Sequence, residues 1–268
     1  MTQAAVGLPA GSSVQTVGKG GGSVDTALDV TVRRHGQVVV VHPRGSLTLR
    51  TSRVLHRVLV NELLGNGRVV VDLDGFHLEH APRVMMFPAV LAECGGWPAV
   101  KVALCRPEQE MAQALSTRGV SVRVPVYHLL LEAEAEIDRR PDVVRTSTRL
   151  PGNVRASATA RQLVRELCPL WQVDDDVQDT VQVVVSELVG IAVAHSNTAA
   201  AGLTLERGPG GLRVSVEDSF PASYPQPEQG FSNPLPRGLG LEMLKNLTTS
   251  WGMDIQLDGK TAWAEIAD

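Results

Sequence analysis

Ser186-Glu187-Leu188-Val189-Gly190-Ile191-Ala192-Val193-Ala194-His195 closes an apolar-periodic run that opens at Asp174-Asp175-Asp176. Carboxylates at the head of such a run suit the positive end of a helix dipole, so the segment predicts one long helix. Glu187, Ile191 and His195 stand four residues apart and therefore line one face of it. Before it, the pattern predicts a strand over 146–150 and a helix over 153–171. After it come strands over 203–206 and 212–217 around Gly208-Pro209-Gly210-Gly211, a hairpin signal. A Pro-, Ser- and Gln-containing loop spans 219–236, followed by a helix over 239–248 and a strand pair over 254–257 and 262–266. Helices in a block beside an antiparallel sheet make this half an α+β layer fold.

The first half reads differently. Val38-Val39-Val40-Val41 and Val69-Val70-Val71-Asp72-Leu73 are buried-strand signals. Between them, 52–64 predicts a helix with Val54, Leu55, Val58, Leu59 and Leu63 on one side, stopped by Gly65. Pro82 suits a first helical position, and that helix is expected to run to Gly95-Gly96. A strand over 100–104, a helix over 108–116, a strand over 121–124 and a helix over 126–137 complete a regular alternation. This is the pattern of an α/β sheet with helical cover. Arg139-Arg140-Pro141-Asp142 interrupts it as a linker. The expected organisation is a disordered Gly- and Ser-rich tail at 1–25, a domain at 26–138, a linker at 139–144 and a second domain at 145–268.

A length of 268 residues suits two cores, and 43% hydrophobic with 20% charged residues is an ordinary globular balance. The net charge of −4 leaves no broad basic field, which argues against direct nucleic-acid binding. No apolar run reaches the roughly 20 residues of a membrane span. Cys94, Cys105 and Cys168 have neither pairing nor metal spacing and read as buried thiols of a reducing cytoplasm. Within His77-Leu78-Glu79-His80, a metal site is weighed against a polar surface loop, and the absence of nearby partner ligands favours the loop.

The first half resembles STAS domains, the fold of anti-sigma factor antagonists. Arg44-Gly45-Ser46-Leu47 and Val70-Val71-Asp72-Leu73-Asp74-Gly75-Phe76 carry that resemblance. It implies a hydroxyl phosphoacceptor in the loop aligned with His80-Ala81-Pro82-Arg83. Pro82 stands at the acceptor position and has no oxygen to give. Thr48 replaces an early acidic residue.

The second half resembles the histidine-kinase-like ATPase superfamily, in particular anti-sigma serine/threonine kinases and actinobacterial ATP-binding regulators. Ser186 to His195 aligns with its N-box, and Val214-Ser215-Val216-Glu217-Asp218 with the strand ending in an adenine-reading aspartate. Arg237-Gly238-Leu239-Gly240-Leu241 aligns with the Gly-rich turn over the phosphates. Trp251-Gly252 and Gly259-Lys260-Thr261-Ala262-Trp263-Ala264-Glu265 align with the closing strands. The resemblance implies Glu187 as the catalytic base. It implies Asp218, Arg237, Gly238, Gly240, Lys260 and His195 as ATP-binding residues. Simpler readings are a solvated helix residue for Glu187, a helix-end histidine for His195 and a strand-end turn for Asp218.

Two positions depart from the second pattern. The usual metal-ligating asparagine is Ile191, and Mg²⁺ requires oxygen ligands that isoleucine lacks. Pro236 precedes the Gly-rich turn and removes a backbone N–H. The expectation is a cytoplasmic partner-switching regulator that binds a sigma factor, a STAS antagonist or a related kinase. Weak ATP binding, Mg²⁺ only if the site is active, and self-association belong to that reading. The alternative is an active serine/threonine kinase in which Asn197 or a water substitutes as metal ligand.

Overall fold

The computed structural model describes residues 28–153, 155–195, 201–219, 239–256 and 259–268. The segment 1–25, expected to be a tail, lies outside them. The chain divides into two compact units, one ending at Pro141 and the next beginning at Asp142.

The first unit is built on a sheet of order β1-β2-β3-β5-β6, with β4 paired to the far end of β2. Its strands are β1 (Asp29–His35), β2 (Val38–Leu47), β3 (Arg68–Asp72), β4 (Phe76–Leu78), β5 (Lys101–Cys105) and β6 (Val126–Tyr127). Only β1 runs antiparallel; β2, β3, β5 and β6 pair in parallel, as do β2 and β4. Parallel strands covered by helices are apolar on both faces, hence the continuous valine runs. Val69, Val70 and Val71 are all buried completely. The covering helices are α1 (Leu49–Asn66), α2 (Met86–Glu93), α3 (Gln109–Thr117) and α4 (Leu130–Ala135).

Four expectations are corrected here. Gly65 lies inside α1, which ends instead at Gly67, whose φ of 73° and N–H bond to the Leu63 carbonyl form the cap. The stretch 121–124 is a turn, with Arg123 N and Val124 N both donating to the Val120 carbonyl, and pairing begins only at Val126. Helix α4 starts at Leu130 because Val126 and Tyr127 are engaged in the sheet. A 3-10 turn over Ala81–Met85 precedes α2, with Pro82 in its first positions. Strand β1, where Val30 and Val32 alternate with polar residues, had not been singled out.

The second unit is a five-stranded antiparallel sheet of order β10-β11-β9-β8-β7. Its strands are β7 (Val144–Arg149), β8 (Gly202–Gly208), β9 (Gly211–Ser219), β10 (Ser250–Gln256) and β11 (Gly259–Ile266). Helices α5 (Ala156–Leu170) and α6 (Asp175–His195) pack on each other, and α6 also packs on β9, β11 and α7 (Leu239–Leu247). Alternation in β8 puts Leu203 and Leu205 on the buried face, with Leu212, Val214 and Val216 doing the same in β9. The Pro209-Gly210 loop is the two-residue kind, and a Cβ on Gly211 would collide with the Ile266 carbonyl oxygen. Register fixes two ends of this sheet. Val144, Arg207, Leu212 and Ile266 form a row at one end; Arg149, Gly202, Glu217 and Thr261 form a row near the other. An α/β sheet with helical cover followed by an α+β layer domain is the fold class read from the sequence, and it is the class the two units have.

Candidate functional site

In the first unit the loop expected to hold a phosphoacceptor follows β4. His80 precedes the 3-10 turn without a side-chain cap bond, Arg83 N donates to the His80 carbonyl at 3.0 Å, and Pro82 is exposed. Val84 and Phe87, just beyond, are buried and anchor the segment. His77 Nδ1 and Glu108 Oε2 are 2.9 Å apart on the surface. Among the described residues no three His, Cys, Asp or Glu side chains converge into a metal-holding group. Thr48, at the position of the early acidic residue, caps α1. Thr51 N donates to Thr48 Oγ1 (3.1 Å) and Thr48 N donates to Thr51 Oγ1 (2.7 Å), a capping box built from two threonines.

Sequence reasoning missed a charged cluster at the ends of β3 and β5. Asp72, only 2% exposed, ends β3 opposite Cys105 of β5. Arg106 grips it with two bonds, Nε to Oδ1 at 2.9 Å and Nη2 to Oδ2 at 2.5 Å. This fork geometry is the strong form of a carboxylate bond, and it accompanies a positive φ of 52° at Arg106. His42 Nδ1 stands 3.7 Å from the same carboxylate, while its Nε2 lies 3.0 Å from the Asp74 carbonyl oxygen. Burial, and then the Asp72 charge, push the Cys105 thiol up to about 12. A lone charge inside Val70-Val71-Asp72-Leu73 was the available signal.

In the second unit α6 runs unbroken through Glu187, Ile191 and His195, which is its last residue. Glu187 is half-buried. Ser186, in the same motif, is a structural link: its Oγ donates to the Gln182 carbonyl (2.7 Å) and accepts from Arg161 Nη1 of α5 (3.0 Å). Asp218 and Lys260 are directly paired in register on β9 and β11, and Lys260 is buried. Gly240 is the second residue of α7. Arg237, Gly238, Pro236 and Asn197 lie outside the described residues.

The closing-strand motif has a packing explanation. Gly252 of β10 faces Trp263 of β11, and a Cβ on Gly252 would lie 2.7 Å from the indole. Arg213 stacks on that indole, 4.2 Å from its centroid, and donates to Glu265 Oε1 at 2.5 Å. Ser250 Oγ donates to Glu265 Oε2 at 2.6 Å. The Ser250 and Arg213 bonds hold the Glu265 carboxyl below its ordinary range.

Residues 150–264 match the histidine kinase-like ATPase domain family. The match covers the stretch in which the motifs resemble that superfamily. Among solved structures the chain is similar to an anti-sigma factor antagonist from Mycobacterium paratuberculosis, at 16% identity over 43% of this chain and 97% of that one, with a TM-score of 0.38. It is also similar to the RsbU and RsbW domains of a Mycobacterium tuberculosis protein, at 20% identity over 48% and 34%, with a TM-score of 0.37. A third is the anti-sigma factor antagonist SpoIIAA in its unphosphorylated form, at 10% identity over 40% and 95%, with a TM-score of 0.33. No curated protein matches the sequence. No helix among the described residues is long and apolar enough to cross a membrane.

Proposed function

We propose that this protein is a partner-switching regulator that works by holding protein partners, with both of its phosphate chemistries lost. The observation that carries the reading is the pairing of two losses in one chain: Pro82 at the acceptor position and Ile191 at the metal-ligand position. Either substitution alone is compatible with a half-active switch. Together they leave a domain that cannot be marked beside a domain whose donor set does not fit Mg²⁺.

The metal argument is one of chemistry. Mg²⁺ is bound through oxygen, and a hydrocarbon side chain on the N-box face supplies none. Phosphoryl transfer depends on the ion to neutralise charge on the moving group, so its loss removes catalysis before it removes nucleotide recognition. Asp218 and Lys260 are retained, and this supports weak, magnesium-independent adenine nucleotide binding. The partners of the reading are a sigma factor, a STAS antagonist or a related kinase.

The retained, half-buried Glu187 supports the rival reading of an active serine/threonine kinase. One assay separates the two: full-length protein with labelled ATP, Mg²⁺ and STAS antagonist proteins. No transfer above background is expected. Turnover that vanishes in Glu187→Ala would overturn the non-catalytic reading. Calorimetry gives the companion result, in which Ile191→Asn raises magnesium-dependent ATP affinity.

A further inference from the structure

The two halves of the chain carry opposite charge. Residues 1–141 hold 15 Lys and Arg against 13 Asp and Glu, and residues 142–268 hold 10 against 16. The imbalance is concentrated on two exposed helical surfaces. On α1, Arg50, Arg53 and Arg57 are exposed at helical spacing, and none has a hydrogen-bond or ion-pair partner among the described residues. The first turn of α1 contains no carboxylate, so Arg50 sits against the positive end of its own helix dipole. No described residue of the unit offsets that cost. Beside these arginines lies an open groove of about 480 Å³ between α1 and α2, lined by Ser52, His56, Val60, Asn61 and Met86. Glu93, the acidic residue on its rim, is engaged by His56 Nε2 at 2.9 Å.

The complementary surface is the start of α6. Asp174, Asp175, Asp176 and Asp179 are exposed, and the first three have no side-chain partner among the described residues. Asp179 accepts one bond, from Gln182 Nε2 at 3.1 Å. At about 1.5 Å rise per residue, Arg50 to Arg57 spans about 10 Å and Asp175 to Asp179 about 6 Å, so the acidic turn fits within the basic stripe.

We infer that the basic groove on α1 receives the acidic first turn of α6 from a second copy of this chain, forming a reciprocal dimer. Identical chains that each carry both patches close two such contacts around a two-fold axis. Single exposed ion pairs contribute little, and two linked contacts reinforce each other, so the reciprocal form is the association that these charges support. The groove's Met86 and Val60 supply apolar surface under the ion pairs. This adds a self-association surface to the protein-binding reading above. The two fail separately, because that reading is tested by phosphoryl transfer.

The test is sedimentation of the full-length protein at about 0.05 M and about 0.5 M salt, which shortens the screening length several-fold. A dimer at low salt that weakens about tenfold at high salt is expected. Arg53→Glu/Arg57→Glu and Asp175→Arg/Asp176→Arg should each be folded by circular dichroism and monomeric. An equimolar mixture of the two variants should form a heterodimer, since one contact is then native and the other is reversed. A monomeric wild type, a salt-insensitive dimer, or a mixture that stays monomeric overturns the proposal. Concentration-independent compaction abolished by Arg53→Glu/Arg57→Glu would place the same chain's α6 in the groove and would overturn it as well.

Discussion

Asp72 is buried at the end of β3, and the guanidinium of Arg106 supplies its two strongest bonds. With Arg106 removed, the carboxylate keeps, among the described residues, a 3.4 Å contact from Asp74 N, a 3.8 Å bond from Cys105 Sγ and His42 Nδ1 at 3.7 Å. Arg106→Ala should therefore lower stability by about 2–3 kcal/mol, below the full range for buried pairs because the outer part of Arg106 reaches solvent. Arg106→Leu combined with Asp72→Asn should lose less than Arg106→Ala alone. Denaturant melts read both, and a loss under about 0.5 kcal/mol in Arg106→Ala would show that the pair is not holding this corner. Neighbouring Cys105 gives a pH prediction. Its thiol, ordinarily at 9.0, is pushed up to about 12, and burial pushes Cys168 up to about 11. The folded state keeps these protons longer than the unfolded chain. Their contribution is therefore complete below pH about 9 and is lost as pH rises through the folded values. Native protein at pH 8 should not react with thiol reagents, and the alkaline loss of stability should be shallower in Cys105→Ala. At this scale the sequence offers departures from a motif, as at Pro82 and Ile191. The candidate site was not legible at Asp72 and Arg106, which are 34 positions apart and meet only because β3 and β5 run in parallel register.

Among the elements, β10 and β11 depend on a missing side chain. Gly252 leaves the space in which the Trp263 indole lies, and the indole in turn supports Arg213 and its bond to Glu265. Gly252→Val forces the ring away and should lower stability by about 1–3 kcal/mol, the usual cost of overpacking. Quenching of the tryptophan fluorescence should change with it, whereas an unchanged melt and spectrum would mean that the strand yields without strain. Helix α6 was readable because its apolar period, its acidic start and its length agree. The elements misread were those whose local pattern is satisfied in two ways. Val122 and Val124 look like strand residues, yet the backbone bonds to the Val120 carbonyl close them into a turn. Tyr127 and the following leucines fit a helical period, yet the first positions are taken by the edge of the sheet. Gly65 looked like a stop because a glycine in a helix is merely costly, while Gly67 is the one placed at positive φ.

For the whole molecule, two separate sheets with their own apolar cores predict that 1–141 and 142–268 fold when expressed apart. Each should give a cooperative thermal transition; an unfolded second half would make it dependent on the first. Two sheets were foreseeable from the switch between alternating strand–helix order and a block of helices. The strand register of the second sheet was not, because it follows from cross-strand pairing that no local pattern specifies. That register has a mechanical consequence. The chain enters the second sheet at Val144 and leaves it at Ile266, and both lie in the same terminal row, three strand spacings or about 14 Å apart. Tension applied between those two points runs across the strands, along the direction of the antiparallel hydrogen bonds. The bonds of β7 to β8 are then loaded one after another, as in opening a zipper. Tension between Val144 and Glu217 runs partly along the strands and loads several bonds together. Optical-tweezer handles at 144 and 266 should open the domain at a lower force than handles at 144 and 217. Equal forces would mean that peeling of the edge strand does not limit rupture. Pulled through its own backbone connections, the domain yields gradually from one edge, while the row that holds Asp218 and Lys260 is the last part of the sheet to feel the load.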